Sequence, residues 1–162
     1  MQLDPFYRVT FTTPESWSVT REGSDGTEAQ SFLIAEGRAE GGLSARYRAA
    51  NFPRRRVDGA FEPSFRGVLE TDDGATILFH WDGLARRIPS GMRELLGTMS
   101  HVTDDERYRW LNDRVCAVEG EVRPRTDDRG SDVILDVSLM TSTFDEDGPV
   151  PDGSRVPGPA GG

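Results

Sequence analysis

The dipeptide Asp73-Gly74 constrains this chain more than any other feature in it. It stands inside residues 65–83, between two runs rich in β-branched and aromatic residues. Asp-Gly in that setting predicts a β-hairpin, because a type I′ turn needs positive φ at both central residues. A chain organised around such a hairpin points to an all-β barrel or sandwich.

A two-residue loop fixes a register. Glu70 then faces Ile77, Leu69 faces Leu78, Val68 faces Phe79 and Gly67 faces His80. Cross-strand partners share a face and successive residues alternate. Phe65, Gly67, Leu69, Leu78, His80 and Asp82 therefore fall on one side. Arg66, Val68, Glu70, Ile77, Phe79 and Trp81 fall on the other. Both sides are apolar enough to be covered, one lining a barrel interior and the other packing under a helix or a partner subunit. The missing side chain of Gly67 leaves space over His80.

The rest of the chain fits this frame. Residues 6–13 alternate and read as the first strand, which Pro14 ends. Residues 15–30 are polar and read as a long loop, or as a short strand around Trp17 and Val19. Residues 31–35 read as a short strand. Residues 43–50 place Leu43, Ala45, Tyr47 and Ala49 on one face and Ser44, Arg46 and Arg48 on the other. Arg54-Arg55-Arg56, between Pro53 and Asp58-Gly59, reads as a solvated loop. Residues 90–96 suit a short helix with Ser90 as N-cap and Gly97 as its stop. Thr103-Asp104-Asp105-Glu106 is a capping box that opens a second helix toward Trp110. Residues 114–123 and 132–141 are two further strands. The expected fold is mainly β: an antiparallel calycin-like barrel of about six to eight strands with two short helices. It occupies residues 1–142. Residues 143–162 are acidic and rich in Pro and Gly, the composition of a disordered tail.

Charge narrows the partners. The net charge is −9, and residues 145–162 contribute −3 of it. An acidic domain lacks the cationic footprint that nucleic acid or an anionic membrane requires. The single cysteine, Cys116, forbids an internal disulfide and is typical of a reducing compartment. The opening Met1-Gln2-Leu3-Asp4-Pro5 has neither the basic nor the apolar region of a secretory signal. The expected location is cytoplasmic.

Two motifs carry a resemblance. Thr71-Asp72-Asp73-Gly74-Ala75-Thr76-Ile77 is followed about thirty residues later by Tyr108-Arg109-Trp110-Leu111-Asn112. Together they resemble the DUF3237 (UPF0311) family of small β-barrel proteins, with its "tDDGa-I" hairpin and "Y-x-W-L-N" segment, over roughly residues 5–140. Two positions depart from the family pattern: Asn51-Phe52 replaces an acidic-aromatic pair, and His101-Val102-Thr103-Asp104-Asp105 replaces a segment with Phe-Glu. The resemblance implies a barrel with a lumen and self-association as a homodimer. It supplies no activity. Its setting among bacterial secondary-metabolism or catabolic genes implies a small organic ligand.

Candidate chemistry is sparse. No phosphate loop, dinucleotide fingerprint, HExxH or nucleophile elbow is present. Two histidines and one cysteine argue against a catalytic zinc, so no metal and no cofactor are expected. His80 reads as a general acid or base, or as a core histidine satisfied by a carbonyl. Tyr47 and Asn112 are candidates to stabilise an enolate by hydrogen bonding; Asn112 also suits a helix C-cap. Tyr108 and Trp110 are candidate wall residues, and Phe65, Leu69 and Leu78 would line the lumen around His80. His101, near the expected barrel mouth, is a candidate substrate contact or a surface loop residue. The leading expectation is a cofactor-independent isomerase, cyclase or lyase acting on a polyketide-like or aromatic metabolite. The alternatives are a non-catalytic carrier using the same lumen and a structural partner that docks through an apolar outer face.

Overall fold

The described residues form ten strands, and the pattern that creates them is alternation of buried and exposed side chains. The computed structural model describes residues 1–125 and 131–144. The strands are β1 (Gln2–Gly23), β2 (Gly26–Gly41), β3 (Ala45–Asn51), β4 (Arg54–Arg55), β5 (Phe61–Glu62), β6 (Ser64–Thr71), β7 (Thr76–Arg87), β8 (Arg93–Val102), β9 (Val115–Pro124) and β10 (Ser131–Thr141). Every pairing is antiparallel. The order closes on itself: β1 pairs β10, and the series continues through β9, β8, β7, β6, β3 and β2 back to β1. The short β4 and β5 bridge β2 to β7 outside that ring.

The ring turns its large apolar side chains inward. Val9, Phe11, Tyr47, Leu69, Ile77, Trp81, Met99 and Leu135 are fully buried and come from six different strands. Full burial of side chains this size contributes roughly 1.5–3 kcal/mol each.

The central hairpin has a different turn from the one its Asp-Gly pair predicts. The Gly74 N–H donates to the Thr71 carbonyl at 3.0 Å, and the Thr71 N–H donates to the Ala75 carbonyl at 2.9 Å. Gly74 has φ +93°. This is a three-residue loop, Asp72-Asp73-Gly74, in which the glycine takes the left-handed position of a G1 bulge. Residues 56–60 and 88–92 repeat the same two hydrogen bonds, with Gly59 at φ +83° and Gly91 at φ +86°. Ser90-Gly91 is therefore the tip of a hairpin, and residues 93–96 belong to β8 rather than to a helix.

The second expected helix is also absent. Residues 103–105 are irregular, residues 106–108 form a turn, and a 3₁₀ turn, Arg109–Asp113, follows. The Thr103 hydroxyl explains this: it caps the Asp105 N–H at 3.2 Å but is itself committed to the Thr76 carbonyl at 2.7 Å, which holds the segment against β7. Residues 15–23 and 26–30 form strand rather than loop, because β1 and β2 pair from Tyr7 and Gly41 to a tight turn between Gly23 and Gly26. Of the acidic tail expected at residues 143–162, residues 145–162 lie outside the described residues. Thr143, the first residue of that expected tail, accepts a 2.8 Å hydrogen bond from the Met1 amino group. Among the described residues no helix is long and apolar enough to cross a membrane.

Candidate functional site

The one-residue difference in loop length shifts the whole register of β7. Gly67 pairs with Phe79, Phe65 with Trp81 and Arg66 with His80. Shifting a register by one residue moves every side chain of a strand to its other face. Ile77, Phe79 and Trp81 thus point inward, while Leu78, His80 and Asp82 point outward. The β6 assignment survives, with Phe65 and Leu69 inside. A Cβ on Gly67 would sit 2.5 Å from Phe79 Cζ, so the space this glycine leaves holds a phenyl ring and not an imidazole.

His80 is consequently an exposed outer-face residue, with Nδ1 3.0 Å from the Ser100 hydroxyl. The lumen base expected there is overturned. Leu78 is 55% exposed beside its cross-strand partner Val102 and lines nothing.

The "Y-x-W-L-N" residues close one end of the ring. Leu111 is fully buried there. Asn112 clamps Thr103 from both sides, Oδ1 accepting from its N–H and Nδ2 donating to its carbonyl, each at 2.9 Å. The Tyr108 hydroxyl donates to Asp73 Oδ2 at 2.8 Å. Trp110 is partly exposed and meets the Phe6 ring edge-on at 5.4 Å. These are end-closing contacts. Asn112 reaches no interior space, so the enolate-stabilising role expected of it has no geometric basis.

The opposite end is open. A cavity of about 240 Å³ lies between β1, β2, β3, β5, β6, β7, β8, β9 and β10. Phe11, Leu33, Phe61, Phe65, Leu95, Val122 and Val133 give its apolar walls. Thr13, Ser31, Asn51, Ser131 and Arg93 are its polar groups. Buried Asn51 accepts from the Ser64 N–H at 2.9 Å through Oδ1, which leaves its amide nitrogen as a donor. The Arg93 guanidinium lies over the Phe61 ring, 4.3 Å from its centre. Its pKa is lowered, first by desolvation and then by the charges of Arg87 and Arg55. Mostly apolar walls with a few fixed polar groups are the usual makeup of a small-molecule pocket.

Beneath the cavity floor lies an aromatic layer. Phe11 stacks on Tyr47 at 5.1 Å, Phe65 stacks on Trp81 at 4.5 Å, and Tyr47 stacks on Phe79 at 4.9 Å. Tyr47 Oη and Trp81 Nε1 are buried with no hydrogen-bond partner. Burial drives the Tyr47 phenol pKa up, with the Trp81 indole N–H acting in the opposite direction without reaching hydrogen-bond geometry. Buried polar groups are rarely left unpaired.

His101 also lies inside, not at a mouth. Its Nε2 is 2.7 Å from Tyr7 Oη and its Nδ1 is 3.9 Å from Cys116 Sγ. Tyr7 Oη is in turn 3.1 Å from Met99 Sδ. Burial lowers the His101 pKa to about 4 and raises that of Cys116 to about 11. Burial likewise raises the Tyr7 pKa well above its ordinary value. A neutral imidazole donates from one nitrogen and accepts at the other, which matches a hydroxyl on one side and a thiol on the other. None of the three residues lines the cavity. Among the described residues no three His, Cys, Asp or Glu side chains gather where a metal ion would sit.

Of the residues singled out in the sequence, Phe65 lines the cavity, and Tyr47, Leu69 and His101 are interior without lining it. Arg93 and Leu95 were hidden by the helix reading of residues 90–96. Phe11 was visible as the third inward position of the first strand, after Tyr7 and Val9.

Comparison with known proteins gives a consistent picture. The sequence profile of the family described as "Protein of unknown function (DUF3237)" matches residues 1–140. No curated protein matches the chain. A β-barrel-like protein from Acinetobacter baumannii AYE superposes with a TM-score of 0.71 at 22% identity, covering 86% of this chain and 96% of that one. A protein of unknown function from Clostridium acetobutylicum ATCC 824 gives 0.71 at 16% identity, covering 87% and 100%. A protein described as an enzyme from Penicillium herquei gives 0.58 at 18% identity, covering 84% and 93%. At such identities these likenesses concern the fold.

Proposed function

The chain belongs to the DUF3237 family, and we propose that its ring of strands is a β-barrel that binds one small, largely apolar organic molecule in the cavity at its open end. The observation that carries this reading is the asymmetry of the two ends. Leu111 and the Asn112 clamp shut one, while the other keeps a 240 Å³ hollow lined by Phe11, Phe61, Phe65 and Leu95. Small closed barrels with room at one end characteristically hold one small ligand. A volume just below the usual range of ligand pockets suits a molecule of only one or two rings.

A second reading, a cofactor-independent enzyme, has one observation in its favour. The unpartnered Tyr47 hydroxyl and Trp81 indole N–H lie one ring beneath the cavity floor. Two donors there would stabilise an oxyanion or enolate if a substrate parted Phe11 and Phe65. The described relative from Penicillium herquei is compatible with such an activity in this fold. Among the described residues that line the cavity there is no histidine, cysteine, tyrosine or carboxylate to transfer a proton, so binding is the better supported of the two.

Native mass spectrometry against a panel of one- and two-ring aromatic metabolites tests both. One-to-one binding that disappears in Leu33→Trp, which fills the mouth, is the expected result. Binding that persists in that variant would place the ligand elsewhere and end the proposal. Turnover of the best binder, lost in Tyr47→Phe while binding persists, would favour the enzyme.

A further inference from the structure

The mouth of the cavity carries an imbalance of charge that the rest of this acidic chain does not share. Arg93 lines the cavity, and a shallow hollow beside it is lined by Arg55, Arg86, Arg87, Arg93 and Phe61 with one acid, Asp58. Arg87 and Arg93 are direct cross-strand partners in β7 and β8. Like charges directly opposite one another on a sheet are destabilising.

Neighbouring acids do not relieve this. Glu94 pairs with Arg86, Asp58 with Arg56, and Glu62 with Arg54 and Arg56. Among the described residues Arg55, Arg87 and Arg93 pair with no carboxylate, although Arg54, Arg56 and Arg86 beside them do. Arg55 reaches only the Thr27 carbonyl, at 3.4 Å. The half-buried Arg93 guanidinium is fixed over the Phe61 ring at the cavity edge. Stacking of this kind orients the guanidinium plane and leaves its N–H edge for a bidentate acceptor.

Resting on the cavity reading above, we propose that the ligand is a carboxylate: its ring body fills the cavity and its carboxylate is held at the mouth by Arg93, with Arg87 and Arg55 supplying further positive charge. A carboxylate matches the guanidinium fork and offsets the Arg87–Arg93 repulsion in one contact. Arg93 also loses solvation at this site, a cost that an anionic ligand offsets.

Calorimetric titration of the full chain with 2-naphthoate and with 2-naphthamide, its uncharged isostere, tests the proposal. The carboxylate should bind about tenfold or more tightly than the amide, the scale of one charge-assisted contact. Arg93→Met keeps the length and the contact with Phe61 but removes the charge. It should lower naphthoate affinity far more than naphthamide affinity and so abolish most of that preference, and the naphthamide binding that remains reports that the variant is folded. Arg93→Lys should restore only part of the preference, since it lacks the fork. Equal affinity for the two probes, or a preference that survives Arg93→Met, would overturn the carboxylate assignment and leave the cavity standing. Failure of both probes to bind, or binding of both undiminished in Leu33→Trp, would overturn the cavity itself and the assignment with it.

Discussion

The Tyr108 hydroxyl donates to Asp73 Oδ2 at 2.8 Å, joining two segments 35 residues apart. Arg107 reinforces the same junction, donating to the Asp73 carbonyl at 3.1 Å and lying 3.1 Å from its carboxylate. Asp73 Oδ1 also accepts from the Thr71 hydroxyl at 2.6 Å. The hairpin motif and the "Y-x-W-L-N" motif are thus one structural unit, the lid of the closed end. The bonds to Thr71 and Tyr108 are the main cause of the lowered Asp73 pKa.

Tyr108→Phe removes the hydroxyl and keeps the ring. The melting temperature should fall by about 2–4 °C, the shift expected for one hydrogen bond in a domain of this size. The cavity is at the other end, so ligand affinity should not change. Differential scanning calorimetry checks the first and a titration the second. An unchanged melting temperature would mean that the junction adds nothing to stability.

The glycine of the central loop makes a separate prediction. Gly74 has φ +93°, and a Cβ built on it meets nothing within 4 Å. Any cost of substitution is therefore backbone strain and not a clash. Gly74→Ala should destabilise by about 1–2 kcal/mol. Gly74→Asn should cost less, because asparagine tolerates the left-handed region better. Chemical denaturation of both variants checks the order; equal stability of all three proteins would contradict the loop assignment.

These loops also explain what was legible in the sequence. Alternation located the strands, since Leu43, Ala45, Tyr47 and Ala49 all proved buried, as did Val133, Leu135 and Val137. The hairpin at Asp73-Gly74 was legible too. Its loop length was not, because Asp-Gly fits both a two-residue turn and the last two positions of a three-residue one. That ambiguity of one residue carried His80 from the interior to the surface. Ser90-Gly91 misled for the same reason: Ser as a cap and Gly as a turn former do not say which element they punctuate. The site suffered most, since it is assembled from nine strands whose convergence no local pattern encodes.

The buried histidine gives the protein a pH dependence of stability. His101 is 1% exposed and its folded pKa is lowered to about 4 from an unperturbed 6.5. Below pH 6.5 the unfolded chain takes up a proton there that the folded chain refuses. The unfolded state then binds more protons, so stability falls with falling pH. The contribution is complete above about pH 6.5, declines through the window to about pH 4, and changes no further below it. A shift of this size corresponds to about 2–4 kcal/mol over the whole window. His101→Gln has no imidazole to titrate, and its denaturation free energy should be flatter between pH 6.5 and 4.5 than that of the parent. The strongly paired Asp105, with its carboxyl held at about 2 by Arg107, acts only below this range. Its contribution is present above about pH 4 and is lost as the pH falls toward 2, so it does not mask the histidine. An NMR titration isolates the same event: the His101 ring signals should stay those of a neutral imidazole until the pH approaches 4. A midpoint near 6.5 would show that the ring is hydrated in solution and that the Tyr7–His101–Cys116 chain is not closed to water.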